Sequence, residues 1–379
     1  MADIACDLAI IGGGLSGGLV ALAARRARPD RRIALVEAAA SLGGNHLWSF
    51  MGSDVGAQEK RLLAPLVSYG WREYGVEFPG YRRRLAQPLY GIRSDRFDMV
   101  LREILASGSI LTGRRAAEVR AGTVVLEDGT RIAAQGVVDA RGSADLSLFD
   151  LHWRKSVGYE VTVEGRHGVR SATLIDTTGR AKGLQYRVML PIDDDRLYIE
   201  DARLEAHPGL DMADHASQIL AYAARCGWRV RSSAHGVAAI VPVARGGDFK
   251  GYWRSGGDGV AKTGLRAGLF HPVTGNRMGD AARTALMIAH APDWSGAALH
   301  DMLHAHAAKS WVRRDYYRRF ARRMTGDAPS AESCGLLKGL YAMDPGLVAR
   351  FHGMTLRFPD RMALSLGDGP MPLGAIVRH

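Results

Sequence analysis

Cysteine is scarce in this 379-residue chain. Cys6, Cys226 and Cys334 stand far apart with no Cys-x-x-Cys pair, which excludes a disulfide framework or zinc-thiolate site and points to a reducing compartment. Long apolar runs are also missing. No stretch approaches the ~18 apolar residues of a spanning helix. The N-terminus, with Asp3 ahead of Leu8-Ala9-Ile10-Ile11, lacks the charged, apolar and small-residue regions of a signal peptide. Any encounter with a membrane is therefore expected at its surface. There is no internal repeat, no His-Glu-x-x-His and no Gly-x-Ser-x-Gly, so zinc hydrolases and serine nucleophiles are set aside. Acidic residues are outnumbered, 39 against 50 basic, and the net charge of +11 favours anionic partners.

What is present is ordinary globular composition, 47% hydrophobic and 23% charged, in a length that suits two or three domains. Its clearest pattern is strand, glycine turn, helix, strand, acid. Asp7 to Ile11 reads as a strand, Gly12-x-Gly14-x-x-Gly17 follows, an Ala- and Leu-rich stretch runs to Arg26, and Arg32 to Val36 ends at Glu37. That is the order of a dinucleotide-binding βαβ unit. The glycines allow a tight turn and close approach of a pyrophosphate, the helix N-terminus attracts its charge, and Glu37 is placed to accept from a ribose. A second glycine turn, Ser41-Leu42-Gly43-Gly44, suits FAD, with a plain surface loop as the alternative. The late segment Gly264 to Gly275 reads as the companion of a two-segment FAD site. Its backbone would follow the ribityl chain, and a helix N-terminus after Pro272 would face the isoalloxazine.

Elsewhere, Asp128-Gly129 marks a hairpin between Thr123–Leu126 and Arg131-Ile132. Alternating strands at 157–163, 172–175, 184–190 and 197–199, with one amphipathic stretch at 213–224, predict a largely antiparallel sheet under a covering helix. Beyond Gly279 the spacing is helical. The expected fold is α/β: a Rossmann-type, hydroxylase-like FAD-binding domain built from 1–80, 95–150 and 250–295, an antiparallel-sheet substrate domain at 151–249, and a helical C-terminal region at 296–379.

Gly43-Gly44-Asn45-His46-Leu47-Trp48-Ser49-Phe50, Leu197-Tyr198-Ile199-Glu200-Asp201 and the segment Gly264 to Gly275 together resemble the bacterial lycopene beta-cyclase family. This family lies within a flavoprotein superfamily that also holds aromatic hydroxylases and geranylgeranyl reductases. Tyr90 to Phe97, Val138 to Gly142 and Ala239 to Pro242 support the match. The chain departs from the family pattern at Ala202, Asn276 and Gly264-Leu265. The resemblance implies a redox-neutral, acid-catalysed cyclisation of the ψ ends of lycopene to β-ionone rings, giving γ-carotene and then β-carotene. It implies reduced FAD, with NADPH or NADH as electron source, and a cofactor set of Gly12, Gly14, Gly17, Glu37, Gly44, Asp139, Gly142, Gly268, Pro272, Thr274 and Gly275. Expected partners are lycopene, an anionic lipid surface on the cytoplasmic side of the membrane, and other carotenoid-pathway enzymes. Nucleic acid is not expected, because no recognised fold for it accompanies the charge. The rivals are a hydroxylase or isoprenoid reductase of the same fold, and a non-catalytic flavin or carotenoid carrier.

In a regular strand 197–202, Glu200 and Asp201 point to opposite faces. The resemblance favours Glu200 as the acid and keeps Asp201 beside it as a catalytic candidate; a solvated acid pair is the alternative. A carboxyl buried against a polyene is expected to keep its proton, because burial disfavours the charged form. Trp48, Phe50, Tyr198 and Phe270 are the candidates for stabilising a carbocation on aromatic faces, though each alone could be core.

No metal site is expected. His46, His271 and the run His290, His300, His304, His306 have no acidic ligand pattern beside them. Val312, Tyr316, Phe320 and Met324 recur every four residues among arginines, which predicts one amphipathic helix over 309–324. It suits a lipid interface. Packing of that stripe into the core is the alternative.

Overall fold

The computed structural model describes residues 3–179, 183–326, 330–365 and 370–371. Its first sheet is built on Asp3–Ile11, which pairs in parallel with Ile33–Val36 on one side and Arg131–Asp139 on the other. Ile11 stands opposite both Val36 and Asp139, so three strand ends converge beside the glycine turn. The helix Leu15–Ala27 fills the crossover and buries Leu15, Leu19, Val20 and Leu22. The helix Met278–His290 packs against it, so its apolar residues meet protein on more than one side. The expected hairpin forms: Val125 pairs with Arg131, and Gly129 takes φ +81°.

The second sheet runs Val230–Gly247, Phe149–Val163, Arg196–Glu205, Leu184–Pro191, Ala172–Asp176, Tyr74–Phe78, Tyr81–Leu85. All pairings are antiparallel except Ala172–Asp176 with Tyr74–Phe78. This corrects the expected domain boundary at residue 80. The backbone groups of Ala172–Asp176 need a partner on their outer side, and Tyr74–Phe78, itself paired with Tyr81–Leu85, supplies it. A smaller sheet of Leu47–Met51, Leu89–Arg93 and Tyr69–Trp71 bridges the two units.

Alternation gives the large sheet two different faces. On one, Val161, Leu197 and Ile199 pack under Ile219, Tyr222 and Ala223 of the helix Met212–Arg225. On the other, Tyr198, Val188 and Leu190 join a core with Tyr317, Phe320, Leu340 and Phe351 of the C-terminal helices.

The expected single helix at 309–324 is two. Gly296–Arg313 ends at Arg314, and Asp315–Thr325 starts afresh. The break has a physical cause: Arg314 is turned inward, 2.6 Å from Asp280 and 3.2 Å from the Phe270 carbonyl. Tyr316, Phe320 and Met324 are core, whereas Val312 is 72% exposed. The stripe read from the spacing is therefore mostly interior. No helix among the described residues is long and apolar enough to cross a membrane.

Candidate active site

The glycine turn is shaped by close approach. Gly12 has φ +102°, and a Cβ there would meet the Arg141 nitrogen at 2.8 Å; at Gly17 it would lie 1.9 Å from the Gly12 carbonyl. Gly14 differs, since a Cβ there would meet nothing within 4 Å. It opens onto a cleft of about 370 Å³ shared with Glu37, Arg141 and Gly142. Glu37 accepts the N–H of Gly13 at 2.6 Å and of Ala39 at 2.8 Å, so it fastens the turn to the end of the second strand. Asp139 is buried and accepts from Arg141 and Arg266. It fixes the 139–142 loop, and Gly142, rather than the Asp139 carboxylate, lines the cleft. Gly44 borders a neighbouring cavity of about 300 Å³ with Ser41, Asn45 and Arg93.

The late segment reaches both units. Gly268, at φ +68°, closes the 3-10 turn Gly264–Ala267. The Pro272 carbonyl accepts from Ala244 N–H of the large sheet at 3.0 Å. The helix expected after Pro272 begins only at Met278, because residues 271–276 form a turn pinned by His271. Its Nδ1 accepts from Val273 N–H at 3.1 Å, so Nε2 donates to the Phe351 carbonyl at 3.0 Å. Burial, then the neighbouring His352, push this imidazole down to about 3. His300 accepts from the Trp253 indole at 3.3 Å.

A second cavity of about 250 Å³ lies between the large sheet, the strand Leu47–Met51 and residues 274–278. Trp48, Phe50 and Tyr198 line it, as do Thr274 and Gly275. Trp48 meets Phe97 edge-on at 5.3 Å, and Phe50 packs on Tyr90 at 5.5 Å. Phe270, expected with them, is instead packed with Phe149, Ala244 and Tyr252. Its neighbour His271 is anchored to the far side, which turns the Phe270 ring into core.

Glu200 lines this cavity. Register explains its setting: Glu200 pairs with Gly158, and two residues along the same face are Ser156 and then Arg154. The absent side chain at Gly158 leaves room for the Tyr198 ring, whose hydroxyl would lie 2.1 Å from a Cβ there. Tyr198 donates to Glu200 Oε2 at 3.1 Å, and Arg154 Nη2 donates to Oε1. Arg154 Nε in turn donates to the Tyr186 hydroxyl at 2.7 Å. Burial opposes the charge of Arg154, but Tyr186 and Glu200 more than offset it and hold the guanidinium charged. Burial and Glu200 push the Tyr198 phenol well up, so it stays a donor. The carboxyl expected to lie buried against a polyene thus has a donor on each oxygen.

Asp201 is not brought to the cavity. It is fully buried on the opposite face, where Gln185 donates at 2.8 Å, Arg187 at 2.9 Å and Arg203 at 3.0 Å, with His215 Nδ1 at 2.7 Å. Burial pushes its carboxyl up, but His215 and Arg187 outweigh that and leave it below the usual carboxylate range.

Arg154, Asp54, Tyr341 and His352 are among the lining residues new to the site. Arg154 could have been found from the alternation His152, Arg154, Ser156, which puts three polar residues on one face of a strand. Asp54, Tyr341 and His352 carry no such signal and are brought in by tertiary packing.

The family model described as lycopene cyclase protein matches residues 7–378. The lycopene beta-cyclase of Pantoea ananas is 31% identical, over 98% of this chain and 97% of its own; that of Paracoccus sp. (strain N81106 / MBIC 01143) is 33% identical, over 98% and 96%. Among solved structures, a geranylgeranyl bacteriochlorophyll reductase-like protein from Thermoplasma acidophilum superposes with TM-score 0.59 at 12% identity, covering 96% of both chains. A halogenase in complex with FAD superposes with TM-score 0.61 at 10% identity, covering 96% of this chain and 87% of its own. These likenesses give the fold: mixed α/β of the flavoprotein hydroxylase-like type.

Proposed function

The chain belongs to the lycopene cyclase protein family, and on that premise we propose that it is an enzyme converting the ψ ends of lycopene to β-ionone rings, giving γ-carotene and then β-carotene. The observation that carries this reading is the cavity itself: a carboxyl, Glu200, held by Arg154 and Tyr198 in a wall that also carries Trp48, Phe50, Leu89, Val188 and Leu190. Cyclisation needs a proton delivered to a terminal double bond, a carbocation protected from water while the ring closes, and a proton removed. Aromatic faces at Trp48, Phe50 and Tyr198 serve the second requirement, and a carboxyl in the same wall serves proton transfer.

The nucleotide cleft fits FAD. Gly14 and Gly142 leave backbone open to a pyrophosphate. Each Glu37 oxygen has spent one acceptor site on an N–H, and a carboxylate oxygen has another for a ribose hydroxyl. Gly12 and Gly17 keep the turn tight, while Gly268, Pro272, Thr274 and Gly275 shape the late segment. Reduced FAD supplies negative charge that favours a cationic transition state, with NADPH or NADH as electron source. The substrate is insoluble in water, so the protein works on a membrane surface, and its net charge of +11 favours an anionic one.

The test is expression in a bacterium that accumulates lycopene. γ-Carotene and β-carotene are the expected pigments. Unchanged lycopene, or oxygenated or hydrogenated carotenoids, overturns the reading.

A further inference from the structure

The cavity holds a second carboxyl. Asp54 follows the strand Leu47–Met51 and is 5% exposed. Its Oδ2 accepts the Met51 N–H at 3.0 Å and the Asn276 amide at 3.4 Å, whereas Oδ1 is buried with no partner among the described residues. Leaving a buried carboxylate oxygen unmatched is costly, and a proton on it removes most of that cost.

The groups around it do not neutralise the charge. Arg283 reaches the Asp54 backbone carbonyl at 3.4 Å and pairs its other nitrogen with Asp280. Arg277 lines the same cavity without a contact to this carboxyl, and burial lowers it. Tyr74 and Tyr341 are phenols pushed up by burial, and burial holds His352 down to about 4. Burial pushes Asp54 up to about 6, against the Met51 N–H and Arg283. Glu200, in the same cavity, has the opposite setting, with a donor on each oxygen.

Two carboxyls in one site with opposed surroundings is the arrangement that divides acid from base. Resting on the cyclase reading, we propose that Asp54 donates the proton that starts cyclisation and that Glu200, held by Arg154 and Tyr198, accepts the proton that ends it. The Asp54 O–H bond breaks, and the electron pair of the terminal double bond forms the new C–H bond, leaving a tertiary cation. The next double bond of the polyene closes the six-membered ring on that cation and moves the charge to the methyl-bearing ring carbon. The C–H pair at the ring junction then forms the ring double bond as the proton passes to Glu200. Substrate and product are isomers, and one proton has moved from Asp54 to Glu200. Return of that proton through water restores the site.

The assay is lycopene in liposomes with FAD chemically reduced, together with infrared difference spectra reading the C=O stretch of protonated carboxyls just below pH 6. D54N should lose ~100-fold or more in rate while retaining flavin, and D54E should recover part of it. A protonated-carboxyl band should vanish in D54N and persist in E200Q. Wild-type protein that leaves lycopene unchanged overturns the cyclase reading and this assignment with it. D54N at more than a third of the wild-type rate, or a band lost in E200Q rather than D54N, overturns the assignment alone. If D54N does not retain flavin, the wild-type pH profile decides. A rate that falls as pH rises through about 6 supports Asp54 as donor, and a flat rate across that range excludes it.

Discussion

Glu200 and Asp201 are adjacent in the chain and face different compartments: Glu200 lines the cavity beside Tyr198, while Asp201 is sealed under the helix Met212–Arg225 among Arg187, Arg203 and His215. On the proposed function one strand carries a carboxyl for chemistry and a carboxyl for cohesion, and their substitutions should separate.

E200Q should lower cyclisation ~100-fold or more with flavin content unchanged. D201N should instead destabilise by about 3–5 kcal/mol, since it leaves buried cations without their counter-charge, and the fraction still folded should turn over near the wild-type rate. Denaturant midpoints and rates on the same preparations check both. A wild-type rate in E200Q, or an unshifted midpoint in D201N, contradicts the division.

Stability should fall with acid in two windows. His271 and His352 are held below their ordinary value of 6.5, to about 3 and about 4, so they are neutral when folded and take up protons more readily unfolded. Their contribution is complete above 6.5 and is lost as pH falls towards those folded values. Asp201 is depressed from 3.8, so its contribution is present above 3.8 and is lost below it as the folded group titrates. Urea midpoints against pH should decline from about 6.5 downward, and H271Q should flatten the upper part of that slope.

Gly14→Val should fold and lose FAD. The backbone at Gly14, φ −71° and ψ −171°, admits any residue, and its side-chain direction is open cleft. Gly17→Val should fail to fold, because its Cβ would strike the Gly12 carbonyl. Flavin absorbance and circular dichroism of the two proteins check this pair; equal flavin content in Gly14→Val and wild type would remove the cleft from the cofactor site.

Arginines of the 309–324 segment should divide by burial. Arg313, Arg322 and Arg323 are exposed, and each near an anionic surface is worth about 1 kcal/mol, screened by salt. Their triple replacement by Gln should weaken sedimentation with anionic liposomes at low salt and leave the unfolding midpoint unchanged. R314Q should lower the midpoint, because Asp280 then keeps only the longer contact to Arg283 at 3.4 Å.

The nucleotide-binding unit was legible because its turn chemistry is local: glycines, strands and acid follow one another from Asp7 to Glu37. Strand alternation put Glu200 and Asp201 on opposite faces, and the family resemblance, not the alternation, singled out Glu200. The rest depends on distance. Arg154 meets Glu200 across a strand pair 46 residues apart, and Asp54 is one acid in a loop with no periodicity to mark it. The pattern Val312, Tyr316, Phe320, Met324 reads as an unbroken helix, because nothing nearby reveals that Arg314 has a buried partner at Asp280. Phe270 was misplaced for the same reason: its motif runs along the cavity, but its ring packs beside Phe149.

Tyr341 and His352, from the helices Ser330–Ala342 and Pro345–His352, line the same cavity as Trp48 and Phe50. During synthesis the glycine turn and the central strands leave the ribosome long before those helices do, and domains generally form from the N-terminus onward. The nascent chain can thus assemble its nucleotide cleft while the hollow for an oily guest still lacks one wall. On the proposed function, loading of a polyene becomes a late event in the life of the molecule, following completion of its own translation.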